Sequence, residues 1–432
     1  MRASHQTTKR LKNDDAPTAG PAEPRAYSLP RGWQVIPFLQ AVRKSNAHLG
    51  MVRRTDYLQS GRFPIIDQGQ STIAGYWDSD EGVYQAELPV IVFGDHTRVF
   101  KFIDFRFIAG AQGTHVLVPE SSRFDPYFLY LALGSLSIPS RGYNRHFPLL
   151  REQLIVSPPL SEQRAIASVL RAVQRAKEAC ERVIAAMRHL KLTLMHCLFT
   201  YGPVTVEQAG QVPLKETEIG LMPAHWSVVP LGELGDIVTG TTPSTRRPEY
   251  FGEPHLFVTP GDIGHGKYIA TTERRVSAAG LRVCRALPKG AVVVVCIGAT
   301  IGKTGLTAVD SCATNQQCNS IVANEKVEPE FLFYALSRRS SVLPQLAGRA
   351  AVPIVSKRNF SAFRVTRPPF SEQLTIASHL SAVDAKLAAE ETRLAALDNL
   401  FKSLLHHLMT GKVRVNHLVD QLAGQITDGE AS

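Results

Sequence analysis

The sequence predicts an α+β protein built twice over: two β-rich modules, each closed by a long helix, with the helices paired as an antiparallel coiled coil about a pseudo-two-fold axis. Three observations predict it. Pro-Leu-Ser-Glu-Gln at 159–163 returns as Pro-Phe-Ser-Glu-Gln at 369–373, and 159–200 lies over 369–410 without a gap, with about nineteen identities in forty-two positions. Ile166/Ile376, Leu170/Leu380, Val173/Val383, Leu194/Leu404 and His196/His406 are among them. A repeat of roughly two hundred residues is too long for a solenoid unit, so a domain-sized half has been duplicated. Behind each motif the apolar residues fall on a 4-3 spacing, the stripe of a coiled coil. Upstream the correspondence continues more loosely, as described next.

Residues 1–28, rich in Lys, Pro, Ala and Thr, read as a disordered basic tail. The first module, 30–158, opens at Trp33 in Gly-Trp-Gln-Val, and the second, 222–368, opens at Trp226 in His-Trp-Ser-Val. Val92-Phe-Gly-Asp and Val295-Cys-Ile-Gly298 each end an apolar run with strand character. Asp125-Pro-Tyr-Phe-Leu and Glu328-Pro-Glu-Phe-Leu both suit a helix start, with Phe128, Leu129 and Leu133 on one apolar stripe. Short strand-like runs between Gly, Pro, Asp and Thr turns make the rest of each module mostly β.

The helical segments are 159–205 and 369–415. Ser161 and Ser371 are expected N-caps, with Glu162 and Glu372 in the first turn. In the second copy Ile376, Leu380, Val383, Leu387, Leu394, Leu397, Phe401, Leu404 and Leu408 form the seam, broken at Glu390; Lys177 and Lys191 break the first. A helix of ~39 residues is ~58 Å long, too long for one module to cover, so the two are expected to cover each other.

At 432 residues there is room for two or three domains. A net charge of +10 favours a polyanionic partner, with nucleic acid ahead of membrane. Six cysteines without a close CxxC pair fit buried thiols in a reducing cytosol, so a cytoplasmic location is expected. The longest apolar run, Ala291–Ile297, is far short of a membrane span, and the N-terminus lacks the apolar core expected of a signal peptide.

Several chemistries can be set aside. Gly298-Ala-Thr-Ile-Gly302-Lys303-Thr304 has three residues between its glycines, where a phosphate-cradling loop needs four. Ser157-Pro-Pro-Leu and Arg367-Pro-Pro-Phe lack the leading Asn or Asp that an amino-methyltransferase needs to accept from its target amino group. Asp384-Ala-Lys386 lies on the coiled-coil helix and reads as a solvated face. The fourteen histidines form no ligand-spaced cluster, so neither catalytic nor metal-binding residues are expected.

The duplicated Pro-[Leu/Phe]-Ser-Glu-Gln-x-x-Ile-Ala helix starts, the two-module layout and the Gly298–Gly305 and Asn315-Gln-Gln317 pattern together resemble the specificity subunit of a type I restriction–modification system. The resemblance covers about 30 to 415. It implies two target-recognition domains separated by the pair of long antiparallel coiled-coil helices, each domain reading one half of a split, asymmetric double-stranded DNA site. It implies no chemistry in this chain. Two methyltransferase subunits and endonuclease/translocase subunits would bring S-adenosylmethionine, ATP and magnesium, and no membrane is involved. Partner binding falls to the repeated helix starts: Glu162, Gln163 and Ile166, and Glu372, Gln373 and Ile376.

Candidate DNA-contacting residues are basic or amide side chains near turns. They are Arg98, Arg141, Asn144 and Arg145 in the first module, and Arg246, Arg247, Lys303, Gln316, Gln317, Lys357 and Arg358 in the second. Gln112, Asn315 and Asn319 are further amides, which near strand ends also satisfy backbone groups. A self-contained nucleotide-dependent enzyme would need the loop that is missing here. A coiled-coil scaffold unrelated to DNA would show no salt-dependent binding to a duplex.

Overall fold

The computed structural model describes residues 29–45, 50–110, 113–140, 142, 144–348 and 352–415. The 1–28 tail, Gln112 and Arg141 lie outside them. The chain divides into two compact units. One takes the described residues up to Gln174 together with those from Leu400 on; the other is Arg175–Asn399. The division falls inside both long helices, Leu160–Tyr201 and Phe370–Met409, so the helical segments are shared between units.

In the first unit, four antiparallel strands are ordered Val42–Lys44, Thr114–Pro119, Val90–Gly94, Phe100–Ile103. Val90–Gly94 is buried along its whole length because side chains alternate across a strand and both faces here meet core. Ile91 and Phe93 pack with Phe128 and Leu129 of the Pro126–Gly134 helix, while Val90 and Val92 pack with Ile66, Tyr84 and Phe107 on the other side. A second sheet is ordered Met51–Val52, Ile108–Gly110, Phe63–Ile66, Gly75–Trp77. The second unit repeats the plan. Its five-stranded sheet is ordered Gly235–Thr239, Cys318–Ala323, Val292–Val295, Thr304–Thr307, Tyr268–Ile269. Val292 and Val294 face one core and Val293 and Val295 another.

Each module is tied shut by its own ends. Gln34–Pro37 pairs antiparallel with Leu154–Ser157, and Ser227–Pro230 pairs antiparallel with Arg364–Arg367. Trp33 and Trp226 stand one residue before these closing strands. The expected helix at Asp125 starts there, with the Asp125 carboxylate accepting from the amides of Tyr127 and Phe128. Glu328 occupies the same place with Pro329 at the first helical position, but makes no side-chain cap.

The long helices correct two expectations. They begin at Leu160 and Phe370, so Ser161 and Ser371 lie inside the first turn and are not the caps. Pro159 and Pro369 precede them, and their carbonyls take the amides of Gln163 and Gln373 at 3.0 and 3.1 Å. Proline fixes its own φ and lacks an N–H that would otherwise need a partner, so the helix can start directly after it. The apolar stripe also does more than line the helix pair, because at both ends it meets a module core as well as the other helix. Val383, Leu387 and Leu394 meet Cys180, Ile184, Met187 and Leu194 on the other helix. Ile376 and Leu380 enter the core of the second unit with Leu198 and Phe199, whereas Phe401, Leu404 and Leu408 enter the core of the first with Ile166 and Leu170. A regular stripe reports that a face is buried, not against what.

Within the second unit the helix segments run antiparallel, and the polar breaks of the seam answer one another. Lys177 Nζ meets Asp398 Oδ1 at 2.6 Å, and Lys191 Nζ meets Asp384 Oδ1 at 2.5 Å. Cys180 Sγ donates to the Glu390 carboxylate at 3.3 Å, and Lys386 completes the pair at 2.6 Å. Polar groups in an apolar seam fix register, because a slipped helix would leave them buried and unpaired. The cysteines are all free. Cys180, Cys296, Cys312 and Cys318 are buried as expected, while Cys197 is exposed.

Candidate nucleic-acid interface

The repeated Glu-Gln pair does not offer itself to another chain. Trp33 Nε1 donates to Glu162 at 3.1 Å, and Trp226 Nε1 donates to Glu372 at 2.8 Å. Arg414 grips Glu162 through two bonds of 2.6 and 2.8 Å, and His225 Nε2 lies 2.7 Å from Glu372. The glutamines turn the other way. Gln163 Oε1 accepts the Asp125 amide at 2.9 Å, while its Nε2 donates to the carbonyls of Arg123 and Pro158. Gln373 does the same with the Glu328 amide and the carbonyls of Lys326 and Pro368. Ile166 and Ile376 are core residues. Of the six residues expected to meet a partner, five are buried and Glu372 is largely so. The motif therefore locks each helix to the start of its own module and to the Pro126–Gly134 or Pro329–Arg338 helix.

In the first unit the candidate residues are organised around Asp95, which is 2 % exposed. It follows the Val90–Gly94 strand in a turn where Arg98 takes a left-handed backbone, φ 61°. Asp95 Oδ1 accepts the amides of His146 and Phe147 at 2.8 and 2.7 Å, and Oδ2 lies 3.4 Å from His115 Nε2. Burial alone would push this carboxyl up. The bonds from Phe147, His115 and His146 outweigh that and hold it below the ordinary carboxylate range. Their effect on shape is to pin His146 and Phe147 onto the turn. Arg98 Nη1 reinforces this by donating to the Ile138 carbonyl at 2.8 Å. Three expected residues, Arg98, Asn144 and Arg145, are thereby exposed together at one end of the sheet. His115, stacked on Phe147 at 4.1 Å, floors the same region.

In the second unit topology does the gathering. The strands Gly235–Thr239 and Val292–Val295 end where Cys318–Ala323 and Thr304–Thr307 begin, because each neighbouring pair is antiparallel. The loops carrying Arg246, Arg247, Lys303, Gln316 and Gln317 therefore emerge from one sheet end. Thr242 Oγ1 donates to Gln316 Oε1 at 2.5 Å, and the Lys303 stem lies against Gly264. Gln316, Lys303, Arg246 and Arg247 are exposed. Gln317 is committed inwardly, its Oε1 to Asn315 and its carbonyl to the Cys296 amide. Asn319 is buried and accepts from Thr239, which removes it from the surface. Lys357 and Arg358 stand apart from this set. Their short helix, Lys357–Ser361, packs on the Leu231–Glu233 turn that leads into the Gly235–Thr239 strand, at its start and not its end. Arg285 was not legible in the sequence, yet its Nη1 donates to the Thr239 carbonyl at 2.9 Å and places a further exposed cation at this end.

The glycine loop has another use than holding phosphate. Gly298 and Gly302 take left-handed backbones, and a Cβ at Gly302 would lie 2.5 Å from the Ser340 carbonyl. The amides of Gly298, Gly302 and Lys303 donate to Pro353, Val295 and Thr300. An amide already spent inside the turn cannot cradle an anion.

Comparison with known proteins accords with this arrangement. Residues 223–399 match the family model for the type I restriction modification DNA specificity domain. A putative type I restriction enzyme specificity subunit of Methanocaldococcus jannaschii, MjaX, is 25% identical over 327 residues, covering 72% of this chain and 73% of its own. This chain is similar in sequence to type I specificity subunits. The EcoR124I/EcoR124II specificity subunit of Escherichia coli is 21% identical over 350 residues, covering 77% of this chain and 82% of its own. The crystal structure of a type I system S subunit from M. genitalium shares the fold, with a TM-score of 0.63 at 15% identity over 87% of this chain and 96% of that one. Set among type I specificity subunits, the doubled Trp–Glu and Gln–amide lock is the part of the chain made twice, and the two sheet ends are the parts that differ.

Proposed function

We propose that the chain is the non-catalytic sequence-specificity subunit of a type I restriction–modification complex, acting in the cytoplasm. Each module reads one half of a bipartite, asymmetric duplex site. The paired helices set the gap between halves and seat two methyltransferase subunits, with endonuclease/translocase subunits joining in the full complex. S-adenosylmethionine, ATP and magnesium belong to those partners. Partner contact is carried by outward positions of the helices, because the Glu-Gln positions are used internally. Arg98, Asn144 and Arg145 serve the first half-site; Arg246, Arg247, Lys303, Gln316 and Arg285 serve the second, with the cations on phosphate and the amides on base edges.

One observation carries this reading: two modules share the Trp–Glu and Gln–amide lock to a helix but present different arrangements of cations and amides at their sheet ends. A duplicated attachment with divergent surfaces is what two different half-sites read at a fixed separation require. Mapping methylated adenines in cells expressing the chain with its methyltransferase partner tests it. A single split motif is expected, lost when the chain is deleted. With Asn144→Ala, the specified bases should relax in one half only. Methylation without a split motif, or unchanged by deletion, would overturn the proposal.

A further inference from the structure

The duplicated helices place residues 171 and 381 at equivalent positions, and Tyr127 and Glu330 are likewise equivalent on the Pro126–Gly134 and Pro329–Arg338 helices. In the first unit the Arg171 guanidinium lies 4.6 Å from the Tyr127 ring centroid and 5.0 Å from that of Phe102, whose rings meet edge to face at 5.1 Å. Three elements join there: the long helix, the Pro126–Gly134 helix and the Phe100–Ile103 strand. In the second unit the corresponding junction is ionic, and its third element is the Tyr268–Ile269 strand, which lies beside Thr304–Thr307. Lys267 Nζ donates to Ser381 Oγ at 2.8 Å and lies 3.2 Å from Glu330 Oε2. Ser381 and Tyr268 also donate to Glu330, and Tyr334 OH donates to Asp384 Oδ2 at 2.7 Å. Lys191 from the other helix closes the network on Asp384. The Lys267 side chain is only 6 % exposed. Burial would raise the Glu330 carboxyl, but its three donors hold it below the ordinary range, and the Tyr268 hydroxyl is pushed up to about 12.

A buried ionic junction is a poor way to gain stability, since desolvation offsets most of the attraction. It is a good way to fix an angle, because its bonds are directional and leave no satisfied alternative. A cation held between two ring faces is likewise directional, though softer. Neither junction lies in the loops assigned to DNA. We infer that Arg171 and the Lys267–Glu330–Ser381 group are positioning residues that fix the tilt of each module on its helix, and through it the gap accepted between the two half-sites. The inference rests on the proposed function.

The test is methylation mapping with Lys267→Met and with Arg171→Leu, each in the full chain with its methyltransferase partner. Expected is a relaxed gap: sites one base pair longer or shorter, unmethylated with the parent chain, reach at least a tenth of the parent level, while the bases of both half-sites stay as they were. The effect should be larger for Lys267→Met, whose junction has more directional bonds. If a variant does not accumulate, Ser381→Ala removes one hydroxyl only and carries the same expectation in smaller degree. An unchanged gap in folded variants, or altered half-site bases, overturns the inference. Absence of any split motif with the parent chain would instead sink the proposed function itself.

Discussion

Gln163 and Gln373 each spend one side-chain oxygen and one amide nitrogen on backbone groups of their own module, and both are fully enclosed. Truncation leaves buried amide and carbonyl groups without partners, which costs about 1–3 kcal/mol per group. Gln163→Ala and Gln373→Ala should therefore each lower stability by about 2–4 kcal/mol in urea unfolding followed by a probe in the affected unit. A loss below about 1 kcal/mol would mean the lock is ornamental. Asp95 allows a pH test with a definite sign. Its folded value is depressed, so its contribution is present in full above the ordinary aspartate value and is lost as pH falls through the folded value. Asp95→Asn should be destabilising at neutral pH, and the gap between variant and parent should narrow as the solution is acidified. A gap that widens in acid would reverse the assignment.

At the scale of elements, the antiparallel register of the helices rests on answering charges. Lys177→Glu and Asp398→Lys should each destabilise by about 0.5–1 kcal/mol, given that Asp398 is over a third exposed. The double reversal should recover most of it in a double-mutant cycle. No recovery would show that the pair plays no part in alignment. Much at this scale was legible in the sequence. The Val90–Gly94 and Val292–Val295 strands announced themselves as apolar runs, and Asp125-Pro as a cap. What was illegible depended on distant partners. The serines of the motif look like caps because Ser commonly is one, but the prolines before them already supply the turn. Glu162 looks like a surface residue until Trp33 and Arg414, 129 and 252 residues away in sequence, are brought to meet it. The interface was half legible. Turn-borne arginines identify themselves, but their gathering needed Asp95 in one unit and strand order in the other, and Arg285 gave no local sign at all.

For the whole molecule, the proposed ruler has a quantitative consequence. Four residues inserted at facing positions in both helices add about 6 Å of helix, or about two base pairs of duplex. Methylation mapping should show a gap longer by one to two base pairs with both half-sites intact, and a changed half-site would contradict it. The charge of the chain supports the same reading, because a surplus of ten basic residues draws the duplex in without choosing its sequence.

The grip of Arg414 on Glu162 also bears on how the protein is made. Phe401, Leu404, Leu408 and Arg414 complete the first unit, yet they are nearly the last described residues to be synthesised. The second unit, Arg175–Asn399, has all its parts earlier. On the ribosome the module made first must wait for residues 401–414, with the apolar side of Ile166 and Leu170 uncovered. A chain stopped after Asn399 should therefore lose its N-terminal module and keep its later one, a reversal that limited proteolysis of the truncated product would reveal. Equal protection of both modules would show that the first can finish alone.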